Sequence, residues 1–403
     1  MVRVATRRAD EGVREIPQKV SPEDSSLKEF LERVKARIVI MGVGGGGSNT
    51  ITRLNAIGID SVETVAVNTD AQHLLITAAD RKILIGRELC GGNGSGGDPH
   101  IGEEAARESA EELEDLLRGC DLLFIMAGLG GGTGTGASPV IAEIGRRVGA
   151  AVISVVTLPF TAEGGKKREI AMRGLSKLAS VSDTIVVVNN DRILDIAREL
   201  PLQQAFFISD EIVARAVKGV VELVVKPGLV NVDLADLRNV IESGGPAVLT
   251  FGESDGENRA MEAVEDALGN PLLDADISGG KAAIVNITSG PDFSLEEMQQ
   301  IVETIVSSLD PTANVIWGAR IDESLKGAVQ VLLIVTGVTS PTVEAALQGE
   351  LREPALERLT KPRGERAARL GIAARPEIRV AERKTVPLAR EVRERSDLGI
   401  DEL

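Results

Sequence analysis

The chain has 403 residues, of which 43% are hydrophobic and only 2% aromatic, and its formal net charge is −16. This length suffices for two domains with flanking segments, and the composition predicts a globular protein with an aliphatic core. The negative charge argues against nucleic-acid binding, which needs a basic surface, and two cysteines and two histidines exclude a disulfide framework and a histidine-rich metal centre.

The N-terminal segment is charged and polar, without the pattern of a signal peptide. We predict that residues 1–35 form an extension, with a helix over 25–34 because its apolar residues have helical spacing. No apolar run approaches the roughly 20 residues that a spanning helix needs. We therefore expect a cytoplasmic protein with no direct membrane insertion.

The first half of the chain alternates apolar runs with glycine-rich loops. A buried strand at 37–41 leads into the glycine-rich residues 42–49, a helix through Leu54 and a second strand at 62–67. This order is the start of a doubly wound α/β sheet. A second glycine-rich loop at 90–99 precedes an acidic helix over about 102–118.

The most specific segment follows a third predicted strand, at 122–127. Residues 128–136 read Gly-Leu-Gly-Gly-Gly-Thr-Gly-Thr-Gly, with a helical pattern from about Ala137. Glycines at a strand-to-helix junction allow backbone N–H groups to approach a phosphate, and the helix start adds a positive dipole end. The chain contains no GxxxxGK[ST] P-loop, so this phosphate site has no P-loop lysine.

Further strands are predicted at 151–156 and 184–188, and a long helix at 203–225 separates two lobes. The second lobe has an α+β texture, with predicted strands and helices in alternation. The strands are at 247–251, 282–287, 313–317 and 329–335, and the helices at 259–268 and 295–308. Beyond Thr339 the apolar runs end. In the last residues, 397–403, apolar side chains alternate with acidic ones. This segment is either a frayed terminus or a docking peptide for a partner protein.

Five motifs occur in an order that resembles the FtsZ family of the tubulin superfamily. They are residues 42–49, 68–72, 128–136, 159–164 and 228–236. The resemblance covers about residues 36–338. It implies a GTP-binding domain at 36–225 with a doubly wound, mostly parallel sheet and a long central helix. A catalytic loop and a smaller α+β C-terminal domain would occupy residues 226–338. A flexible tail that ends in a docking peptide would occupy residues 339–403.

The resemblance also implies which residues hold the phosphates. The diphosphate would lie over Gly45, Gly46, Gly47, Ser48 and Asn49, and the β-phosphate in the cradle of Gly131, Gly132, Thr133, Gly134 and Thr135. The loop that senses the γ-phosphate corresponds to Gly94, Ser95 and Gly96. Mg²⁺ would be held by the GTP phosphates and water, with Asp70 acting through its shell. No direct metal ligand is assigned.

For the nucleoside, the resemblance implies that Glu163 contacts the ribose and that Asn190, Phe206 and Asp210 contact the base. Phe206 and Asp210 are four residues apart and share a helix face, so Phe206 would stack on the base while Asp210 accepts the guanine N1–H and N2–H. Lys167 stands where the family has arginine; it lacks the planar fork of arginine but can still supply charge.

The acidic loop completes the predicted site. In the family, this loop is pressed onto the nucleotide of the next subunit, so Asn231, Asp233 and Asp236 would orient and polarise the attacking water. The resemblance thus implies a GTPase that forms head-to-tail homopolymers and acts in cell division. It would lie at the division site, with membrane-anchoring partners bound through the tail.

Three other interpretations remain open from the residues. A Rossmann dehydrogenase is one, because Gly42, Gly44 and Gly47 satisfy GxGxxG; NAD rather than GTP binding would identify it. A non-catalytic nucleotide-binding scaffold is another, although the acidic set argues against it. Tubulin itself is disfavoured because the chain is shorter and lacks an acidic, helical C-terminal domain.

Overall fold

The computed structural model describes residues 36–193, 201–226, 228–230, 232–269 and 275–348. The predicted N-terminal extension with its helix, the docking peptide and most of the predicted tail lie outside the described residues. Of the helices in the described part of the chain, none is long and apolar enough to cross a membrane.

The first half forms a parallel sheet with helices on both faces. Its strands are β1 Ile38–Val43, β2 Glu63–Asn68, β3 Arg81–Leu84, β4 Leu122–Gly128, β5 Ala151–Leu158 and β6 Thr184–Asn189. Its helices are α1 Gly44–Ala56, α2 Ala71–Ile76, α3 Arg87–Cys90, α4 Pro99–Glu108, α5 Ala110–Leu117, α6 Thr133–Arg147 and α7 Gly165–Val181. The strand order β3-β2-β1-β4-β5-β6 confirms the predicted doubly wound arrangement.

The second half begins with the long helix α8 Leu202–Val225 and extends the same sheet. It continues with α9 Leu234–Glu242, β7 Gly245–Ser254, α10 Arg259–Gly269, β8 Ala282–Ser289, α11 Leu295–Ser307, β9 Asn314–Ile321, β10 Val329–Thr336 and α12 Pro341–Leu347. β7 pairs with β6 only over Thr184–Val186, and then antiparallel with β10, which pairs with β8. The predicted α+β part is confirmed in its strands and helices, and its sheet is continuous with the first.

The core lies on both faces of the parallel strands because alternate residues point to opposite sides. In β1, Val39, Met41 and Val43 join a cluster with residues of α4 to α7. Ile38 and Ile40 join the opposite cluster, with residues of α1, α8 and α9. A third cluster fills the space between the second half of the sheet and helices α10 and α11.

Three boundaries differ from the prediction. The acidic helix over 102–118 is two helices, α4 and α5, separated at Ser109. Helix α6 begins at Thr133, four residues before Ala137, because tertiary packing overrides the low helix propensity of its glycines. The tail boundary at 339 is too early: Ser340 caps α12, whose Val343 and Ala346 are buried in the core.

Candidate nucleotide-binding site

The candidate site lies at the carboxyl ends of β1 and β4, where the strand order reverses. In doubly wound sheets this switch point opens a crevice for ligands, and the N-termini of α1 and α6 both face it. The two loops touch backbone to backbone. An added Cβ on Gly134 would lie 3.1 Å from the carbonyl oxygen of Val43, and one on Gly44 would lie 2.7 Å from the amide nitrogen of Gly134.

Two glycines of these loops instead face open space. A Cβ on Gly45 or Gly131 would meet no atom within 4 Å. Gly132 differs, because its added Cβ would collide with the hydroxyl of Ser95. The loops therefore form a floor of packed glycines with open positions above it, a shape that suits phosphate oxygens bound by main-chain N–H groups.

Three buried hydroxyls join the glycine loops to each other. Thr69 Oγ1 and Thr133 Oγ1 are 2.7 Å apart, and Thr133 Oγ1 and Ser95 Oγ are 3.0 Å apart. Thr135 Oγ1 in turn accepts a hydrogen bond from the Gly130 N–H, at 2.9 Å. Because these hydroxyls bond within the protein, the main chain remains as the donor set for a phosphate.

The loop at 93–98 has a backbone that glycine alone adopts readily. Gly94 and Gly96 have φ values of 83° and 60°. The Gly94 N–H donates to the carbonyl of Thr69 at 3.1 Å. Asp70 pairs with Asn93 in an isolated bridge, and its Oδ1 accepts from the His73 N–H at 3.0 Å, which caps α2. Asp70 thus lies beside this loop with one carboxylate oxygen already bonded.

A cleft of about 510 Å³ joins the predicted phosphate residues to the predicted base residues. It is lined by Gly46, Asn49, Thr157, Asn190, Gln203, Phe206, Phe207, Ser209 and Asp210. The cleft brings Gly46 and Asn49 together with Asn190, Phe206 and Asp210, as the sequence predicts. Sequence reasoning missed Thr157, Gln203, Phe207 and Ser209. The spacing 203, 206, 207 and 210, which defines one helix face, is the signal that could have identified two of them.

Asp210 is the titratable group at the base end of the cleft. Burial raises the pKa of its carboxyl to about 6, although a hydrogen bond from Thr50 Oγ1, at 2.8 Å, opposes the shift. Asn190 Oδ1 accepts from Ser209 Oγ at 2.8 Å, so its NH₂ group remains as a donor for a ligand. Acceptor and donor groups therefore lie side by side at this end of the cleft.

Phe206 and Glu163 both meet the short segment around Phe160. The rings of Phe160 and Phe206 are 5.2 Å apart and nearly perpendicular. Glu163 Oε1 accepts from the Phe160 N–H at 2.9 Å, and Oε2 accepts from Lys167 Nζ at 3.0 Å. Lys167 is thus paired with Glu163, and the neighbouring Arg168 is buried against Asp191 at 3.1 Å.

The acidic loop follows the last turn of α8, away from the cleft. Helix α8 carries Phe206 and Asp210 of the cleft, and its last residue, Val225, lies roughly 23–29 Å from them at ~1.5 Å per residue. Asp233 caps α9, its Oδ1 accepting from the Asp236 N–H at 2.7 Å. The far end of α9 is held at the amino ends of the strands, where Thr184 Oγ1 donates to the carbonyl of Ile241 at 2.8 Å. Asp233 and Asp236 are therefore not brought to the cleft, and Asn231 lies outside the described residues.

Two family models match the chain. The GTPase domain of the tubulin/FtsZ family matches residues 37–198, and the C-terminal domain of the FtsZ family matches residues 245–339. The first match contains the glycine loops and Asn190, and the second contains β7 to β10. Together they cover more than half of the chain.

Individual relatives agree with the family models. Cell division protein FtsZ 1 of Pyrococcus furiosus is 50% identical over 357 residues, which is 87% of this chain and 96% of the relative. The solved structure of an empty FtsZ dimer from M. jannaschii is 52% identical and has a TM-score of 0.74, covering 79% of this chain and 93% of that one. A GTPγS-bound protofilament of CetZ2 from Haloferax volcanii is 25% identical, with a TM-score of 0.68, and covers 81% of this chain and all of that one.

Proposed function

The chain belongs to the tubulin/FtsZ family, and from this membership we propose that it is a GTP-hydrolysing cell-division protein whose copies assemble head to tail. The observation that carries the proposal is the separation of two partial sites. The nucleotide cleft opens at the carboxyl ends of β1 and β4, whereas the acidic loop follows the last turn of α8, where Leu229 and Val230 bond to Ala319 of β9. We infer that neither part hydrolyses GTP without the other.

Guanine is the base that the cleft suits. An ionised Asp210 accepts two hydrogen bonds, from N1–H and the exocyclic N2–H, whereas adenine has no such donor pair. The NH₂ of Asn190 can donate to a carbonyl oxygen of the base. Phe206 would stack on one face of it. These roles are supported by the residues' shared lining of the cleft.

Main-chain groups would bind the phosphates. The open space over Gly45 and Gly131 fits phosphate oxygens, and the positive-φ glycines of the loop at 94–96 fit a segment that can reorganise around a terminal phosphate. The other residues that we assign to the phosphates are Gly46, Gly47, Ser48, Asn49, Ser95, Gly132, Thr133, Gly134 and Thr135. Glu163 would contact the ribose, and its pairing with Lys167 would neutralise its charge there.

Mg²⁺ would accompany the nucleotide. No group of three His, Cys, Asp or Glu side chains that could hold a metal occurs among the described residues, so phosphate oxygens and water would provide its ligands. The second carboxylate oxygen of Asp70 would reach it through water. The ion would supply charge neutralisation for the phosphates.

Hydrolysis would take place where two copies meet. Asp233 and Asp236 project near the start of α9, and with Asn231 they would orient and polarise a water molecule at the terminal phosphate of the next copy. Phosphoryl transfer depends mostly on positioning and charge stabilisation, so such a set is sufficient without one dedicated base. Because this contact joins two different surfaces and does not close on itself, it generates filaments.

GTP-dependent light scattering with Mg²⁺ tests the proposal, with GDP and ATP as controls. We expect assembly with GTP alone, accompanied by phosphate release. Asp236→Ala should bind GTP with unchanged affinity and lose most turnover. A full GTPase rate in that variant would overturn the catalytic assignment. Failure of the wild type to assemble would overturn the proposal that copies form filaments.

We further propose that the tail beyond 348 carries the docking peptide for a membrane-anchoring partner and so brings the filaments to the division site. The alternation of apolar and acidic residues at 397–403 supports this assignment. A chain shortened after residue 348 should assemble normally in solution but lose its position at the division site in cells. Normal positioning of the shortened chain would contradict the proposal.

A further inference from the structure

Phe207 is a half-exposed aromatic side chain in a protein that has few aromatics. The whole chain contains seven phenylalanines, and three of them, Phe160, Phe206 and Phe207, gather at the base end of the nucleotide cleft. Phe160 is buried, whereas Phe207 is 50% exposed and lines the cleft directly. An exposed aromatic ring beside a ligand cleft is well suited to stack on a flat ligand.

The helix geometry puts the two rings on either side of Asp210. Successive residues of an α-helix are about 100° apart around its axis. Phe206 and Phe207 precede Asp210 by four and three residues, so their directions are about 40° to one side of it and 60° to the other. A planar base whose edge meets the Asp210 carboxylate therefore extends back along α8 between the two rings.

A cation supports one face of the Phe207 ring. The Arg53 guanidinium lies 4.3 Å from the ring centroid. Arg53 is itself ion-paired with Glu211, which also accepts from Arg215 Nε at 2.6 Å. With one face covered and half of the side chain exposed, the ring keeps a free surface toward the cleft. The contact also links α1, which carries the phosphate-loop glycines, to α8, which carries the base-reading residues.

We propose that Phe207 is a second aromatic wall of the cleft, stacking against the nucleobase with Arg53 behind it. The inference rests on the proposed function, because it takes a guanine nucleotide as the occupant. It makes Phe207 a binding residue that acts by direct contact, distinct from Phe206 on the other side of the base.

Calorimetric titration of the nucleotide-free protein with GDP tests the proposal, since GDP avoids assembly. Phe207→Ala should weaken GDP binding by roughly tenfold, within the range measured for base–aromatic stacking. Phe207→Trp should bind GDP as tightly as the wild type, and its added indole fluorescence should be quenched by GDP. Leu295→Ala, which removes an exposed apolar side chain from α11, should change neither binding nor fluorescence.

The outcomes separate this inference from the proposed function. If Phe207→Ala binds GDP within twofold of the wild type while Phe206→Ala does not, Phe207 does not stack and the inference fails. If the wild type itself does not bind GDP, the proposed function fails. If Phe207→Ala does not fold, the Phe207→Trp fluorescence decides, and an indole that GDP leaves unquenched overturns the inference.

Discussion

To bind guanine as we propose, Asp210 must stay ionised in a cleft that disfavours its charge. Burial raises the pKa of its carboxyl to about 6, and the Thr50 hydroxyl supplies the hydrogen bond that partly stabilises the anion. The guanine N1–H and N2–H would add two more hydrogen bonds to the ionised form. Ligand binding and deprotonation of this side chain are therefore linked.

We predict that GDP affinity falls as the pH drops through about 6. Protonation turns one carboxyl oxygen into an O–H donor, so the group no longer accepts from both N1–H and N2–H, and the dissociation constant at pH 5 should be about tenfold higher than at pH 7. Calorimetric titrations across this range measure the effect. Asp210→Asn keeps an acceptor for Thr50 but cannot titrate, so it should bind GDP weakly with a flat pH profile. An equal pH dependence in the variant would assign the effect to another group.

Residue spacing predicted the cleft residues on α8, but not the residues of other elements that contact them. Phe206 and Asp210 could be paired from the sequence because four residues span one helical turn. Thr50 lies 160 residues from Asp210, and Phe160 lies on another segment, so their contacts arise only when α1 and the segment after β5 pack against α8. Lys167 was identified, but its pairing with Glu163 depends on the turn that precedes α7.

At the scale of elements, the glycines of residues 128–136 serve two different physical purposes. A Cβ on Gly136 would collide with the carbonyl of Pro99, because α4 packs directly against α6 there. A Cβ on Gly131 would meet nothing within 4 Å. The first glycine permits close packing of two helices, and the second keeps space open where a phosphate would bind.

Alanine substitutions should separate these purposes. Gly136→Ala should destabilise the nucleotide-free protein by about 1–3 kcal/mol, the typical effect of overpacking. Gly131→Ala should leave the melting temperature of the nucleotide-free protein unchanged and weaken GDP binding. Thermal unfolding and GDP titration of both variants provide the comparison. A Gly131→Ala variant that binds GDP normally would show that the space above this glycine is not the phosphate position.

The elements that the sequence predicted are those with long apolar patterns. Of the six parallel strands in the first half, the five other than β3 were predicted, because their apolar, β-branched runs are covered on both faces. Strand β3 begins with the exposed Arg81 and Lys82 at the edge of the sheet, where charge protects the free strand and hides the pattern. Helix α7 begins with Gly165 and a basic run, so its amphipathic face emerges only in packing.

At the scale of the whole molecule, α8 keeps the two partial sites apart. Phe206 and Asp210 lie in its first three turns, and the acidic loop follows its last residue, Val225, roughly 23–29 Å away along the axis. No side-chain rearrangement spans such a distance. The sequence predicted both partial sites, but only the course of the helix and the anchoring of α9 at the amino ends of the strands determine that one chain cannot unite them.

This separation predicts that two inactive variants restore activity when mixed. Asp210→Asn should lose the GTP site but keep its acidic loop, and Asp236→Ala should keep the site but lose the loop. Each alone should hydrolyse almost no GTP. In an equal mixture, about one quarter of random head-to-tail contacts pair an intact site with an intact loop, which sets the expected upper limit of the rate relative to the wild type.

Steady-state phosphate release from the mixture at fixed total concentration measures this recovery. The double variant, carrying both substitutions in one chain and mixed with Asp210→Asn, is the matched control, because no intact site is then present. A mixture of the single variants that stays as inactive as this control would mean that site and loop must belong to the same chain. Because α8 keeps the two partial sites of one chain apart, such a result would contradict the proposal that the acidic loop acts on the nucleotide of the next copy.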